Sequence, residues 1–350
     1  MLGESVLMMT VLFSLVPILL GGYIGTIVDK LPVEKVMAVS TFIVLLFVSL
    51  FDLSIYMLFI MTLLISTLSV IVNIGCIKLC KIHFGSKGIY TLAFVVSFTG
   101  MSAPLLFSVK EKYSLDSGAI VMTCLLVMFI LSLFVLLKKR VLSEDITEQA
   151  INSDSKISIP KLALINTIVG SYMYVYVAFF FLFIPSLFTK SSSLEEIGFL
   201  MSLYGIGVVS IRLIISKTKI SLTNSYYLMG VGKLCSLISL ICFFSLLYFH
   251  YESYVFGFSS LMMGIGTGLM LPTSIVINQN LTSNLNSGKN MGKFTQINKL
   301  FELIGVSLIV LTYALTGSWL NTLLLFVFMS LIVGAIYFIP FQSVRTAIIR

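Results

Sequence analysis

The most prominent feature of this sequence is a series of long apolar runs separated by short polar breaks. Most runs reach the ~20 residues that an α-helix needs to cross the hydrocarbon core of a bilayer. Because the runs are continuous and lack a strand-like alternation of polar and apolar positions, they favour helices over a β-barrel. We predict eleven transmembrane helices, at residues 5–27, 36–51, 54–77, 89–108, 118–137, 162–186, 197–216, 226–248, 254–277, 293–316 and 319–339.

The break between the second and third runs is short, and consists of Phe51, Asp52 and Leu53. A single helix over residues 36–77 would be far longer than a bilayer is thick, since a helix rises about 1.5 Å per residue. We therefore predict two helices there.

Composition agrees with a chain that is solvated by lipid. Hydrophobic residues make up 58% of the sequence and charged residues only 10%, and the mean hydropathy is +1.09. A soluble domain carries about 25% charged residues, so this chain has too few charges to cover a core of its size with a polar surface. The predicted fold class is all-α, a polytopic helical bundle in the lipid bilayer.

The basic residues are concentrated in alternate breaks. The breaks after the odd-numbered runs and the C-terminal tail hold most of the Lys and Arg, whereas the other breaks hold only Lys110, Lys112 and Lys190, beside acidic residues. The positive-inside rule then predicts a multi-pass protein of the cell membrane with a cytoplasmic C-terminus. This bias and contact with anionic lipid headgroups explain the net charge of +8, and the pattern does not predict nucleic-acid binding.

The longest hydrophilic stretch, 138–161, predicts a cytoplasmic linker. It divides the chain into an N-terminal half of five helices, 1–137, and a C-terminal half of six, 162–350. A short repeat relates the halves, because Gly-Ile-Tyr-Thr at 88–91 and Gly-Lys-Phe-Thr at 292–295 each begin a predicted helix after a basic break. Repeats in the two halves of a membrane protein are typical of transporters, and predict two pseudo-symmetric halves.

The break after the first run reads Gly-Thr-Ile-Val-Asp-Lys-Leu-Pro-Val-Glu-Lys from Gly25 to Lys35. It resembles the signature loop of the major facilitator superfamily, Gly-x-x-x-Asp-Arg/Lys-x-Gly-x-Arg/Lys-Arg/Lys. The matching positions are Gly25, Asp29, Lys30 and Lys35, and the departures are Pro32 and Glu34. The resemblance implies a conformational latch, in which the Asp29 carboxylate pairs with the other half in one conformation only. A solvated turn that obeys the positive-inside rule is the alternative.

The resemblance extends over the whole chain and implies a subtype. The chain aligns with helices two to twelve of the superfamily, which implies that the family's first helix is missing. Residues 11–40 are most similar to the macrolide and multidrug exporters, and Ala103-Pro104 retains part of a drug-antiporter motif. These likenesses imply proton-coupled efflux of hydrophobic or amphiphilic drugs by alternating access.

The resemblance also implies that the predicted helices 54–77, 162–186 and 254–277 line a central cavity. The first carries a polar stripe at i, i+4, i+7 and i+11, which consists of Thr62, Ser66, Ser69 and Asn73. Such a stripe faces a cavity or packs against another helix. The second carries an aromatic face, either a ligand-binding wall or a packing face, which consists of Tyr172, Tyr176, Phe179 and Phe183. Asn278 follows the third, whose glycines and Pro272 predict a hinge.

Ionisable residues inside membrane helices are candidates for function, because a charge there is costly. Glu302 and Lys299 lie at i, i+3 on the predicted helix 293–316, and are the candidates for proton coupling. The alternative is a self-neutralised pair near the interface, with Lys299 extended towards water. Arg212 and Lys233 stand near predicted helix ends, and we expect them to snorkel in the same way.

Other chemistry is sparse. Cys76, Cys80 and His83 have a spacing that could bring them together, but cysteines in apolar helices usually pack as small hydrophobic residues, so we predict no metal site. No phosphate-binding loop and no HExxH helix is present, so neither an enzyme nor a cofactor is predicted.

The sequence as a whole predicts a monomeric secondary active transporter whose partners are lipid, a small-molecule substrate and protons. The alternatives are an importer of small solutes, a truncated transporter, or a permease-like membrane component that does not transport.

Overall fold

The computed structural model describes residues 2–50, 55–112, 117–138, 159–188, 194–218, 220–249, 253–282 and 286–349. All regular structure in these ranges is helical, which confirms the predicted all-α class. The long helices are α1 (Leu2–Lys30), α2 (Val33–Leu50), α3 (Ile55–Lys112), α4 (Ser117–Lys138), α5 (Ile159–Phe188), α6 (Leu194–Lys217), α7 (Leu222–Phe249), α8 (Ser253–Asn280), α9 (Ser287–Thr316) and α10 (Trp319–Ile349).

Six helices in the described part of the chain contain a segment that is long and apolar enough to cross a membrane. They are α1, α3, α7, α8, α9 and α10, and shorter apolar segments lie in α4 and α5. The chain is therefore a multi-pass membrane protein. The predicted break at 51–53 and the central part of the predicted linker, 139–158, lie outside the described residues.

Helix α3 differs from the prediction. The sequence predicts one helix that ends at residue 77 and another that begins at 89, with a basic loop between them. In the structure α3 continues through this region and is interrupted only at Gly85, where φ is 60° and ψ is −149°. Glycine adopts this left-handed conformation without the steric cost of a Cβ. The predicted division into two helices is therefore present, but the break is at Gly85 and is not a loop over residues 78–88, so Lys78 and Lys81 lie on the helix before it.

The described helices form two compact units. The first unit comprises Met1–His83, Thr99–Ala150 and Thr282–Lys299, and the second comprises Phe84–Phe98, Ile151–Leu281 and Leu300–Arg350. Residues 84–98 lie in the N-terminal part of the chain but belong to the second unit, and residues 282–299 lie in the C-terminal part but belong to the first unit. We call them the exchanged segments. Each contains one copy of the sequence repeat, and the division into halves at 138–161 stays a prediction.

The second unit has a large apolar core. Its buried side chains come mainly from α5, α7, α8 and α10, and many are aromatic. Glycines allow close helix packing there, since a Cβ built at Gly232 would lie 2.9 Å from the carbonyl oxygen of Gly266. In the first unit, Val44, Leu68 and Leu125 form a smaller cluster between α2, α3 and α4.

Candidate functional site

Asp29 lies one residue before the end of α1 and is paired with a lysine of α3. Its Oδ1 atom is 2.8 Å from Lys78 Nζ, and the two side chains are only 9% and 10% exposed. The same ammonium donates to the carbonyl oxygen of Val28 at 3.0 Å. Because α3 remains helical past residue 77, it carries Lys78 to the end of α1.

The Asp29 carboxylate also caps the first turn of α9. The backbone N–H of Gly288 donates to Oδ1 at 2.8 Å, and that of Lys289 donates to Oδ2 at 2.7 Å. The first amides of a helix have no partner within the helix, and the positive end of the helix dipole attracts an anion. One carboxylate therefore joins three helices. We call Asp29, Lys78, Gly288 and Lys289 the Asp29 clamp.

Glycines bring α1 and α9 into backbone contact next to the clamp. A Cβ built at Gly25 would overlap the carbonyl oxygen of Gly288, and one built at Gly292 would overlap that of Gly21. Gln296 Nε2 donates to the carbonyl oxygen of Ile18 at 2.8 Å one turn further along. This small-residue contact fixes the distance at which Asp29 reaches the amides of α9.

The structure separates the four residues of the predicted latch. Gly25 and Asp29 form the contact with α9, whereas Lys30 and Lys35 are exposed. Glu34, which departs from the family motif, is buried. A second lysine of α3, Lys81, donates to the carbonyl oxygen of Thr282 at 2.7 Å. The latch role itself stays a prediction.

Three members of the Asp29 clamp, Lys78, Gly288 and Lys289, were not predicted from the sequence. Lys78 was assigned to a loop because it follows an apolar run and lies in a basic stretch. Gly288 follows Ser287 at the start of α9, which is a recognisable helix start, but no local pattern indicates that the cap comes from α1.

The polar stripe of α3 has a buried end and an exposed end. Ser66 is buried, and its hydroxyl donates to the carbonyl oxygen of Phe13 at 2.7 Å. Thr62 is half-buried, whereas Ser69 and Asn73 are exposed. Part of the stripe thus packs against α1, and the rest lies on an open surface.

The aromatic candidates of α5 lie in the core of the second unit. Tyr172, Tyr176 and Phe179 are all buried. The rings of Tyr172 and Tyr176 meet edge to face with centroids 5.0 Å apart, and Phe179 lies 5.2 Å from Phe326. They pack against protein in this conformation. The side chain of Phe183 lies outside the described residues, and the role of this face in binding stays a prediction.

The remaining candidates occupy different environments. Asn278 is buried on α8 and its Nδ2 donates to Thr167 Oγ1 at 2.8 Å. Lys299 and Glu302 are half-buried on α9. Their role in proton coupling stays a prediction.

Two buried cations of the second unit contradict the expectation that they snorkel. Arg212 Nε donates to the carbonyl oxygen of Gly268 at 3.2 Å, and its Nη1 donates to Ala93 and Ser97 of the exchanged segment 84–98. Lys233 Nζ donates to the carbonyl oxygen of Val169 at 3.3 Å. Both side chains are buried and end on neighbouring helices.

Comparisons with known proteins agree with this architecture. No protein-family model matches the sequence, and no curated protein sequence is significantly similar to it. A bacterial homologue of the iron transporter ferroportin, in the outward-facing state, is 16% identical with a TM-score of 0.70, over 97% of this chain and 91% of that one. The E. coli fucose:proton symporter FucP is 12% identical with a TM-score of 0.65, over 96% and 91%.

The human organic anion transporter MFSD10 is 15% identical, with a TM-score of 0.67 over 95% of this chain and 81% of that one. The TM-scores establish the fold, whereas identities this low leave the substrate open. The chain has the fold of the major facilitator transporters.

Proposed function

We propose that this protein is a secondary active transporter that exports hydrophobic or amphiphilic small molecules in exchange for protons, by alternating access. The observation that carries the proposal is the exposed polar end of the α3 stripe. Ser69 and Asn73 lie about 80–180° around the helix from the exposed apolar residues Ile60 and Leu63. The apolar surface suits lipid, whereas the polar surface needs water or a polar ligand. A helix with both surfaces is suited to line a cavity.

Alternating access also needs a contact that forms in one conformation and breaks in the other. The Asp29 clamp has the properties of such a contact. It joins α1, α3 and α9 through one charge that Lys78 and the start of α9 balance, so the joined state is electrostatically satisfied. On the side predicted to be cytoplasmic, water would solvate the separated charges. We assign the latch role to this clamp.

The drug-efflux subtype and the direction of transport are part of the proposal. Transport of a cationic dye (ethidium) and of a neutral dye (Nile red) by purified protein in liposomes tests it. We expect movement of at least one dye to depend on an imposed pH gradient and to stop when nigericin collapses that gradient. Dye movement that does not depend on the pH gradient, or no movement of either dye, would contradict proton-coupled transport of amphiphiles.

Replacing Glu302 with glutamine tests the assignment of the coupling proton. If this carboxyl carries the proton, E302Q should abolish ethidium-dependent proton movement, since the amide cannot bind and release a proton at neutral pH. E302D keeps a carboxyl group and should retain measurable coupling. A pH-sensitive dye inside the liposomes records the proton flux. Undiminished exchange by a folded E302Q protein would reject the assignment.

A further inference from the structure

Lys233 is a buried amine that the proposed function does not use. It lies on α7 within the second unit, 11 residues after Leu222, where the helix begins, and is 8% exposed. Its Nζ atom makes one hydrogen bond in the described part of the structure, to the carbonyl oxygen of Val169 at 3.3 Å. A protonated lysine has three N–H donors, so one contact leaves donor capacity unused.

No acidic side chain is available on the helices around it. α7 packs against α8 and α10, and Lys233 contacts α5, yet these four helices contain no Asp, Glu or His. Their other titratable or charged residues are Lys161, Tyr172, Tyr174 and Tyr176 on α5, Tyr226, Tyr227, Cys235, Cys242 and Tyr248 on α7, Tyr254 on α8, and Tyr337 and Arg345 on α10. Arg212, which contacts α8 at Gly268, has the same charge. A permanent ammonium here would lack a counter-ion, which is unfavourable in a membrane interior.

Two unused hydrogen-bond acceptors lie at the contact between α5 and α8, within one helical turn of Val169. Asn166 stands three residues before Val169, on the same face of α5. Its Nδ2 donates to the carbonyl oxygen of Ser274 on α8 at 3.1 Å. Asn166 Oδ1 and Ser274 Oγ are buried and have no hydrogen-bond partner in the described structure. Ser274 Oγ lies against Gly170, the residue after Val169, because a Cβ built at Gly170 would overlap it.

We propose that Lys233 is a reversible proton-binding site inside the second unit. Before protonation, the neutral amine needs only the one hydrogen bond to the Val169 carbonyl oxygen that the structure shows. On protonation the nitrogen lone pair forms a third N–H bond, and the ammonium draws the Asn166 and Ser274 oxygens into its coordination shell. The proton comes from water and returns to water, and no other bond changes. A proton needs no cavity to reach the amine. An anionic ligand would be repelled by the acceptor oxygens of Asn166 and Ser274.

Direct titration of purified protein in lipid nanodiscs tests the site. Between about pH 6 and pH 9 the wild type should take up about one proton per chain more than K233M. K233R keeps a permanent charge and should show the same deficit. K217M is the matched control, because Lys217 is exposed on α6, and it should titrate like the wild type over this range.

A K233M protein that takes up as many protons as the wild type would overturn the proposal. K233Q replaces it in the comparison if K233M does not give a monodisperse protein. The coupling role rests on the proposed function, so a second measurement separates the two. If the site couples to transport, K233M and K233R should move fewer protons per ethidium than the wild type. A wild type that fails to transport would contradict the proposed function, while the titration would still decide whether Lys233 binds a proton.

Discussion

Replacing Asp29 with asparagine is expected to slow transport while leaving substrate binding unchanged. The substitution removes the charge that pairs with Lys78 and weakens the cap on Gly288 and Lys289. Hydrogen bonds to charged groups contribute about 1.5–3 kcal/mol. Loss of that free energy in one conformation alone shifts the conformational equilibrium about tenfold to a hundredfold. Ethidium turnover in liposomes and equilibrium ethidium binding, measured on the same preparation, check both parts of the prediction.

The pair with Lys78 can be isolated with a double-mutant cycle. K78M alone leaves the carboxylate without its cation, whereas D29N combined with K78M removes both charges, so the double variant should be less impaired than the sum of the single variants. K217M is the matched control, since Lys217 is exposed on α6, and its turnover should equal that of the wild type. Strictly additive effects, or unchanged turnover of D29N, would reject the latch.

Replacing Gly25 with alanine should have an effect of similar size, although it changes no charge. The new Cβ would overlap the carbonyl oxygen of Gly288, which is backbone and cannot rotate away. Helices α1 and α9 must then separate, which moves the amides of α9 away from Asp29. Overpacking of this kind costs about 1–3 kcal/mol, so we expect a lower melting temperature and strongly reduced transport.

An alanine at Gly334 is the matched control for that substitution. Gly334 lies inside α10, where a Cβ would have no neighbouring atom within 4 Å. Alanine is favoured over glycine in a helix interior by about 1 kcal/mol, so G334A should melt at or above the temperature of the wild type. If G25A and G334A behave alike in melting and in transport, close backbone contact at Gly25 is not required.

Six helices of the described part contain a membrane-spanning segment where the apolar runs predicted one, because the need for about 20 apolar residues is a local constraint that the sequence states directly. The region around Gly85 was less predictable. Lys78 and Lys81 look like a loop because charges normally end a membrane helix. Here their partners are Asp29 and the Thr282 carbonyl oxygen, and such distant partners leave no trace in a local pattern.

The candidate site shows the same division between local and distant information. The motif identified Gly25 and Asp29, but the amides that Asp29 caps belong to α9, 259 and 260 residues later. Periodicity correctly grouped Tyr172, Tyr176 and Phe179 on one face of α5. It could not indicate that the face meets Phe326 and the core of the second unit. A shared face is a local property, whereas the element opposite it is not.

The exchanged segments have a consequence for the order in which this protein can assemble during synthesis. The first unit includes Thr282–Lys299, so it stays incomplete until the ribosome has made most of the chain. Until then Gly21 and Gly25 of α1 have no α9 backbone to contact. The nascent first unit therefore lacks its last segment while residues 151–281 of the second unit are being made, and the second unit is itself completed only by residues 300–350. The two units of this chain therefore cannot be completed strictly one after the other.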